Sequence, residues 1–336
     1  MRKKIYIAYT GGTIGMQKSA RGYIPTPGFI TEQMALIPEL QDSSMPLYTI
    51  CEYAVPIDSS NMTTSDWHII ATDIANNYAA YDGFIILHGT DTMAYTASAL
   101  SFMLENLAKP VILTGSQLPL SEIRNDARGA LITTLLLANQ LEIPEVCLYF
   151  NHKLLRGNRA RKLSSANFDT FQPLNFPALA TAELTITTNK ERWLTANHQP
   201  FQIQSIQDNL VACVRLFPGM SMEILKQLLQ IPLKGLILET FGSGNAPDNN
   251  PMFINLLKEA IKQHVIVVNC TQCPHGRVDM AQYATGQSLL DIGVISAYDM
   301  TAEATLTKLL YLFSKDLSTA SIKHNMQQNL RGEVSL

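Results

Sequence analysis

Ile5-Tyr6-Ile7-Ala8-Tyr9-Thr10-Gly11-Gly12-Thr13-Ile14-Gly15 is the stretch whose reading decides the fold. A short β-branched and aromatic run that breaks into Thr-Gly-Gly-Thr reads as a buried strand opening into a tight loop. Its glycines let backbone N–H groups approach a ligand closely. Three readings of that loop stand side by side: a phosphate cradle, a plain strand-to-loop turn, and a hydroxyl nucleophile next to an oxyanion hole.

The pattern repeats downstream. Gly83-Phe84-Ile85-Ile86-Leu87 is a buried strand that ends in His88-Gly89-Thr90-Asp91-Thr92, and Pro110-Val111-Ile112-Leu113 ends in Thr114-Gly115-Ser116-Gln117. Helical stretches separate them: one capped by Thr64 or Ser65 and carrying Trp67, Ile70, Ile74 and Tyr78, one from about Ala94 to Leu107, and one from about Asn125 to Leu141. A further strand spans Tyr48 to Val55 and ends in Asp58-Ser59-Ser60-Asn61. Short apolar strands alternating with helices mark a mostly parallel sheet covered on both faces. In such sheets ligands bind beyond the carboxyl ends of the strands, so three Gly-plus-hydroxyl ends count for more than any one.

The fold class is therefore α/β with two domains: a larger N-terminal one, its mostly parallel sheet flanked by helices on both faces, and a smaller C-terminal α/β one. At 336 residues the chain can build two cores. We divide it into residues 1–188, a polar irregular linker at 189–205, and residues 206–336. The second domain carries strands at Leu210 to Leu216, Gly235 to Glu239 and Val265 to Asn269. Its helices lie near Ser221 to Leu229, Pro251 to Gln263, Thr301 to Phe313 and Ser318 to Asn329. Residues 19–28, rich in Gly, Pro and Ser and carrying Tyr23, read as a loop suited to a mobile lid.

A net charge of −3 offers no electrostatic reason to expect nucleic acid or an anionic membrane as a partner. Apolar residues after Met1-Arg2-Lys3-Lys4 are too few for a signal peptide, and no apolar run is of transmembrane length, so the expected location is the cytoplasm. Five cysteines cannot all pair, and three lie in apolar runs that suit buried reduced thiols. Cys270-Thr271-Gln272-Cys273 has neither a second pair nor a nearby histidine cluster, and the seven histidines never fall at ligand spacing, so no metal is expected.

For chemistry, the first domain concentrates Thr13, Ser59, Ser60, Thr90, Asp91, Thr92, Thr114, Ser116 and Tyr23 at one sheet edge. A neutral hydroxyl needs a proton acceptor to act as a nucleophile. His88 lies inside a strand end, where a structural role fits it better. The remaining candidates are Tyr23 and Lys162. Lys162, at the end of Arg156-Gly157-Asn158-Arg159-Ala160-Arg161-Lys162, reads either as part of a solvated basic face or, if turned inward, as an amine pushed toward neutrality.

These motifs resemble those of the bacterial-type L-asparaginases. Tyr9-Thr10-Gly11-Gly12-Thr13-Ile14-Gly15 and Leu87-His88-Gly89-Thr90-Asp91-Thr92-Met93 are similar to the family's two signatures. Asp58-Ser59-Ser60, Thr114-Gly115-Ser116-Gln117, Arg156-Gly157-Asn158-Arg159, Gly244-Asn245-Ala246-Pro247 and Asn329-Leu330-Arg331-Gly332-Glu333 match in order. The resemblance covers essentially the whole chain and is strongest to the cytoplasmic type I enzymes.

It implies hydrolysis of L-asparagine to L-aspartate and ammonia through a threonine-linked acyl-enzyme, without a cofactor, in a homodimer or homotetramer. It implies Thr13 as nucleophile with Tyr23 as its hydrogen-bond partner, and Thr90, Asp91 and Lys162 as a second polar triad. Asp58, Ser59, Ser60, Thr90, Asp91 and Ser116 would bind substrate. Glu239 and Arg161 depart from the residues some type I members use for a second asparagine site, which implies that cooperativity is altered or absent. Two alternatives remain: the glutamine-hydrolysing subunit of a tRNA amidotransferase, disfavoured because the chain begins at the first strand, and a non-catalytic amino-acid sensor.

Overall fold

The computed structural model describes residues 2–20 and 22–336. Contacts divide the chain into two compact units, Met1–Gln204 and Ser205–Leu336.

The first unit is built on an eight-stranded sheet. Its parallel half comprises β1 (Lys4–Tyr9), β4 (Leu47–Glu52), β5 (Gly83–Leu87), β7 (Val111–Thr114) and β8 (Val146–Phe150). Three antiparallel strands follow, β9 (Lys153–Arg156), β12 (Ala180–Ala182) and β13 (Ile186–Thr188), giving the order β13-β12-β9-β8-β7-β5-β1-β4. The registers place strand ends side by side: Tyr9 pairs with Glu52 and Leu87, and Leu87 with Thr114. The three Gly-plus-hydroxyl ends therefore emerge along one edge, as the sequence pattern requires.

Period-2 alternation divides the strands between two cores. Ile5, Ile7, Tyr9, Ile85, Leu87 and Ile112 join α1 (Phe29–Ala35) and α4 (Ala127–Gln140) through Ile30, Met34, Leu131 and Leu135. On the other face Phe84 packs against Tyr6 and stacks on Tyr78, just past α2 (Thr64–Asn77). Trp67 Nε1 of α2 donates to Thr96 of α3 (Met93–Met103) at 3.1 Å, binding these two helices to each other. α2 is capped one residue earlier than expected. Thr63, not Thr64 or Ser65, accepts from Asp66 N while Asp66 accepts from Thr63 N, because only Thr63 stands three residues before a carboxylate.

Residues 19–28 are not a plain loop. β2 (Met16–Ser19) and β3 (Gly22–Pro25) pair antiparallel, Ser19 opposite Gly22 and Lys18 opposite Tyr23. No residue of β2 or β3 is buried, so the hairpin leaves no hydrophobic alternation to read. The two-residue β6 (Leu104–Glu105) pairs with β14 (Gln202–Ile203), and Phe201 stacks on Tyr78 at 3.8 Å. A short hairpin of β10 (Ala160–Lys162) and β11 (Phe171–Pro173) carries Lys162.

The second unit has a four-stranded parallel sheet of β15 (Val211–Arg215), β16 (Gly235–Thr240), β17 (Ile266–Thr271) and β18 (Ile295–Ser296), in that order. α5 (Met222–Leu228), α6 (Pro251–Lys262) and α7 (Ala284–Asp291) bury Leu225, Phe253, Leu257 and Leu289 against Leu236, Leu238 and Val267. α8 (Ala302–Phe313) covers the opposite face so closely that a Cβ on Gly235 would lie 2.7 Å from Leu309. After α9 (Thr319–Met326) the tail folds in, and the fully buried Glu333 carboxylate meets the fully buried Lys308 ammonium. α7 has a short apolar face and escaped the sequence reading.

Candidate active site

The site is assembled where the loops after β1, β4 and β5 cross. Gly11 and Gly12 have φ of 133° and 90°, values that favour glycine. The crossing also excludes a side chain: a Cβ on Gly11 would lie 2.2 Å from Ile57 O, one on Gly12 2.4 Å from Gly89 N, and one on Gly89 2.5 Å from Ser59 Oγ. Backbone bonds hold the loops together, Thr10 N to Leu87 O at 3.0 Å and Ile57 N to Thr10 O at 2.7 Å. Thr92 Oγ1, at the N-cap of α3, donates to Ser59 O at 2.7 Å.

Lys162 reaches the same place from the far side. The turn Gly157–Arg159 that precedes β10 is buried, and a Cβ on Gly157 would lie 2.9 Å from Val146 O and 3.1 Å from Ala97 O. The basic run is therefore no solvated face. Arg156 binds Glu145 with both groups buried, Arg159 is 2 % exposed, and Lys162 points inward. Lys162 Nζ donates to Thr90 Oγ1 and to Asp91 Oδ1, both at 2.8 Å. The Lys162 side chain is 19 % exposed and that of Asp91 64 %, so the pair closes one wall of a cavity open to water.

That cavity, of about 290 Å³, is lined by Gly12, Thr13, Met16, Asp58, Ser59, Gly89, Thr90, Asp91, Gln117, Lys162 and Ser165. Thr13, Asp58, Ser59, Thr90, Asp91 and Lys162, spread over 150 residues of sequence, thus share one space. Two carboxylates and an ammonium give it mixed charge, suited to a small zwitterion, and the Thr13 and Thr90 hydroxyls line the same space.

Three expected residues are placed otherwise. Ser60 lines no part of the cavity; its Oγ and N both bind Asp58 Oδ1 at 2.9 Å, which caps the turn Ser59–Asn61 and aims the carboxylate. Ser116 is buried, with its hydroxyl donating to Leu118 O at 2.6 Å. Tyr23 is 41 % exposed, and its hydroxyl donates to Glu122 Oε1 at 2.7 Å. That carboxylate raises the Tyr23 phenol above its ordinary value, so Tyr23 on Glu122 is a neutral donor.

His88 has the structural placement its position suggested. Burial lowers its pKa to about 4, and its Nδ1, 2.7 Å from Gly89 O, must carry the proton, since a carbonyl only accepts. Sequence reasoning passed over Gln117, Ser165 and Met16. Gln117 ends the third Gly-plus-hydroxyl cluster and was within reach of it. Ser165 lies in the irregular stretch 163–167 and carries no signal.

The family profile Asparaginase, N-terminal matches residues 4–194, and that of the Glutaminase/Asparaginase C-terminal domain matches residues 210–326. L-asparaginase 1 of Escherichia coli K12 is 49 % identical over 334 residues, covering 99 % of this chain and 98 % of the relative. A 60 kDa lysophospholipase of Mus musculus is 39 % identical over 356 residues, 99 % of this chain but 63 % of that longer protein. The crystal structure of L-asparaginase I from Vibrio cholerae superposes with a TM-score of 0.93 at 49 % identity, covering all of both chains. With both profiles matched along nearly its whole length and the signature loops meeting around one cavity, the chain belongs to the asparaginase family.

Proposed function

We propose that this chain is an L-asparaginase, an amidohydrolase that converts L-asparagine to L-aspartate and ammonia by way of an ester on Thr13. The observation that carries the reading is that Thr13 and the Thr90-Asp91-Lys162 group line one cavity. Family membership and the 49 % identity to an enzyme named L-asparaginase support the substrate.

In this reading Asp58, the Ser59 backbone and Asp91 hold the α-ammonium and α-carboxylate, leaving the amide carbon facing Thr13. Thr13 Oγ attacks that carbon and forms the C–O bond while its proton leaves through Tyr23, which exchanges Glu122 for Thr13 as the hairpin closes. Backbone N–H groups of the Gly11-Gly12-Thr13 and Gly89-Thr90 loops stabilise the oxyanion, each worth on the order of 3 kcal/mol. The tetrahedral intermediate breaks its C–N bond as the leaving nitrogen takes a proton from the Lys162 ammonium through the Thr90 hydroxyl and departs as ammonia. Water then gives its proton through Thr90 to the now neutral Lys162 amine and attacks the ester, and the departing Thr13 oxygen takes its proton back through Tyr23 as aspartate is freed. Ser60 acts by aiming the Asp58 carboxylate with its hydroxyl and N–H, and Ser116 by holding the Gln117 loop through Leu118 O.

We assign the work to residues 1–188, with residues 189–205 as connector and residues 206–336 as the second domain. We infer a cytoplasmic homodimer or homotetramer from the resemblance to the type I enzymes. Among the described residues no helix is long and apolar enough to cross a membrane. The test is ammonia release from L-asparagine. Wild type turns over, and Thr13→Ala loses on the order of 10³-fold or more in kcat while still binding aspartate. A Thr13→Ala enzyme with most of the wild-type rate would remove the nucleophile.

A further inference from the structure

Asp126 precedes α4 at its N-cap, a position where aspartate normally caps its own helix. Here it does not: its side chain makes no bond to the α4 backbone. Both carboxylate oxygens instead reach back nine residues. Oδ1 and Oδ2 accept from Gln117 N at 3.1 and 2.9 Å, and Oδ1 also accepts from Leu118 N at 3.0 Å. No ion pair among the described residues involves Asp126. Its charge is spent on one strand-end loop.

That loop holds the side chain that accepts from the Thr90 hydroxyl. Lys162 Nζ donates to Thr90 Oγ1, so the Thr90 proton must point elsewhere, and it goes to Gln117 Oε1 at 3.3 Å. Gln117 Nε2 in turn donates to Asn167 O at 3.3 Å. Both side-chain contacts are at the long end for hydrogen bonds. A shift of a few tenths of an ångström in the Gln117 backbone therefore decides whether they exist.

We propose that Asp126 is a positioning residue for hydrolysis: its carboxylate fixes Gln117, which keeps the Thr90 hydroxyl aligned with Lys162. The inference rests on the Thr90-Lys162 relay proposed above. In Asp126→Asn the remaining oxygen still accepts from Leu118 N and, at 3.1 Å, from Gln117 N, but the NH₂ group that replaces Oδ2 turns the shorter 2.9 Å contact to the Gln117 N–H into a repulsion that displaces it. The relay loses its alignment, while Asp58, Ser59 and Asp91, on other loops, keep their grip on substrate.

The test measures kcat and KM for L-asparagine, per folded enzyme, in Asp126→Asn, Gln117→Ala, the double variant and Lys162→Met. Each single variant at 117 and 126 should lower kcat about 10- to 100-fold, as sub-ångström misplacement does, with KM changed by no more than about twofold. Because both act through one contact, the double variant should be no worse than the poorer single. A merely structural Asp126 would lower the melting temperature and leave kcat of the folded fraction alone, overturning the proposal; so would losses that multiply in the double variant. Should Asp126→Asn fail to fold, Gln117→Ala decides: wild-type kcat there overturns the proposal, and a loss with unchanged KM supports it. A fully active Lys162→Met would remove the relay itself, whereas an inactive Lys162→Met beside an unimpaired Asp126→Asn would remove the positioning role alone.

Discussion

Replacing Lys162 by Met separates catalysis from folding because of how the ammonium is held. Its two partners are Thr90 Oγ1 and Asp91 Oδ1, each at 2.8 Å. Methionine keeps the length of the stem and removes the charge. Asp91, left without its cation, is 64 % exposed and rehydrates, so the ion pair is worth at most about 1 kcal/mol to the fold. At about 2–4 °C per kcal/mol, the melting temperature should move by less than about 4 °C. The chemical step loses a positioned acid–base group, a cost of about 10²- to 10⁴-fold, or roughly 3–5 kcal/mol of barrier. The assay is ammonia release at saturating L-asparagine, with thermal unfolding of the same sample. Lys162→Met that keeps kcat within a few-fold of wild type, or that loses activity only in proportion to its unfolded fraction, refutes the reasoning.

Other expectations follow from single contacts. Tyr23→Phe should slow turnover about 10- to 100-fold as a positioned proton-transfer partner is lost, whereas Glu122→Ala frees the Tyr23 hydroxyl and should leave kcat within a few-fold of wild type; equal losses in the two would mean that the Tyr23–Glu122 bond is itself the working state. His88 sits neutral in the fold with a pKa of about 4 against 6.5 unfolded, so below pH 6.5 the unfolded chain binds a proton that the native state refuses. Its contribution is complete above pH 6.5 and is lost as pH falls through 4, to the extent of about 3 kcal/mol. Urea titrations at pH 7 and 4.5 should show a smaller drop in stability in His88→Gln than in wild type, and equal drops would count against it. Lys308→Met strands the fully buried Glu333 carboxylate and should destabilise the second unit by about 3–5 kcal/mol in urea unfolding. A change under about 1 kcal/mol would show that the tail dissociates without penalty.

What the sequence determined by itself was the frame. A strand buried on both faces must be apolar throughout, and it must end where glycine and polar residues begin, so β1, β5 and β7 and their Gly-plus-hydroxyl ends were readable from local pattern. Parallel pairing then places those ends on one edge. The antiparallel strands β9, β12 and β13 were not readable, since they are three or four residues long and, unlike the near-uniformly apolar β7, mix apolar with polar or small residues. Nor was the β2–β3 hairpin, which has no buried face.

The tertiary structure alone decided which polar groups face the cavity. Ser59, Ser60 and Ser116 look alike in sequence, yet one lines the site, one spends its hydroxyl on Asp58 and one on Leu118 O. Three of the four basic residues within seven positions go to a buried carboxylate, an aromatic ring and the candidate site: Arg156 to Glu145, Arg159 over Phe176, and Lys162 to Thr90. The reason is physical. Backbone conformation is governed by neighbours a few residues away, whereas the resting place of a charged side chain depends on the partner that repays its desolvation, and for Lys162 that partner lies 72 residues away.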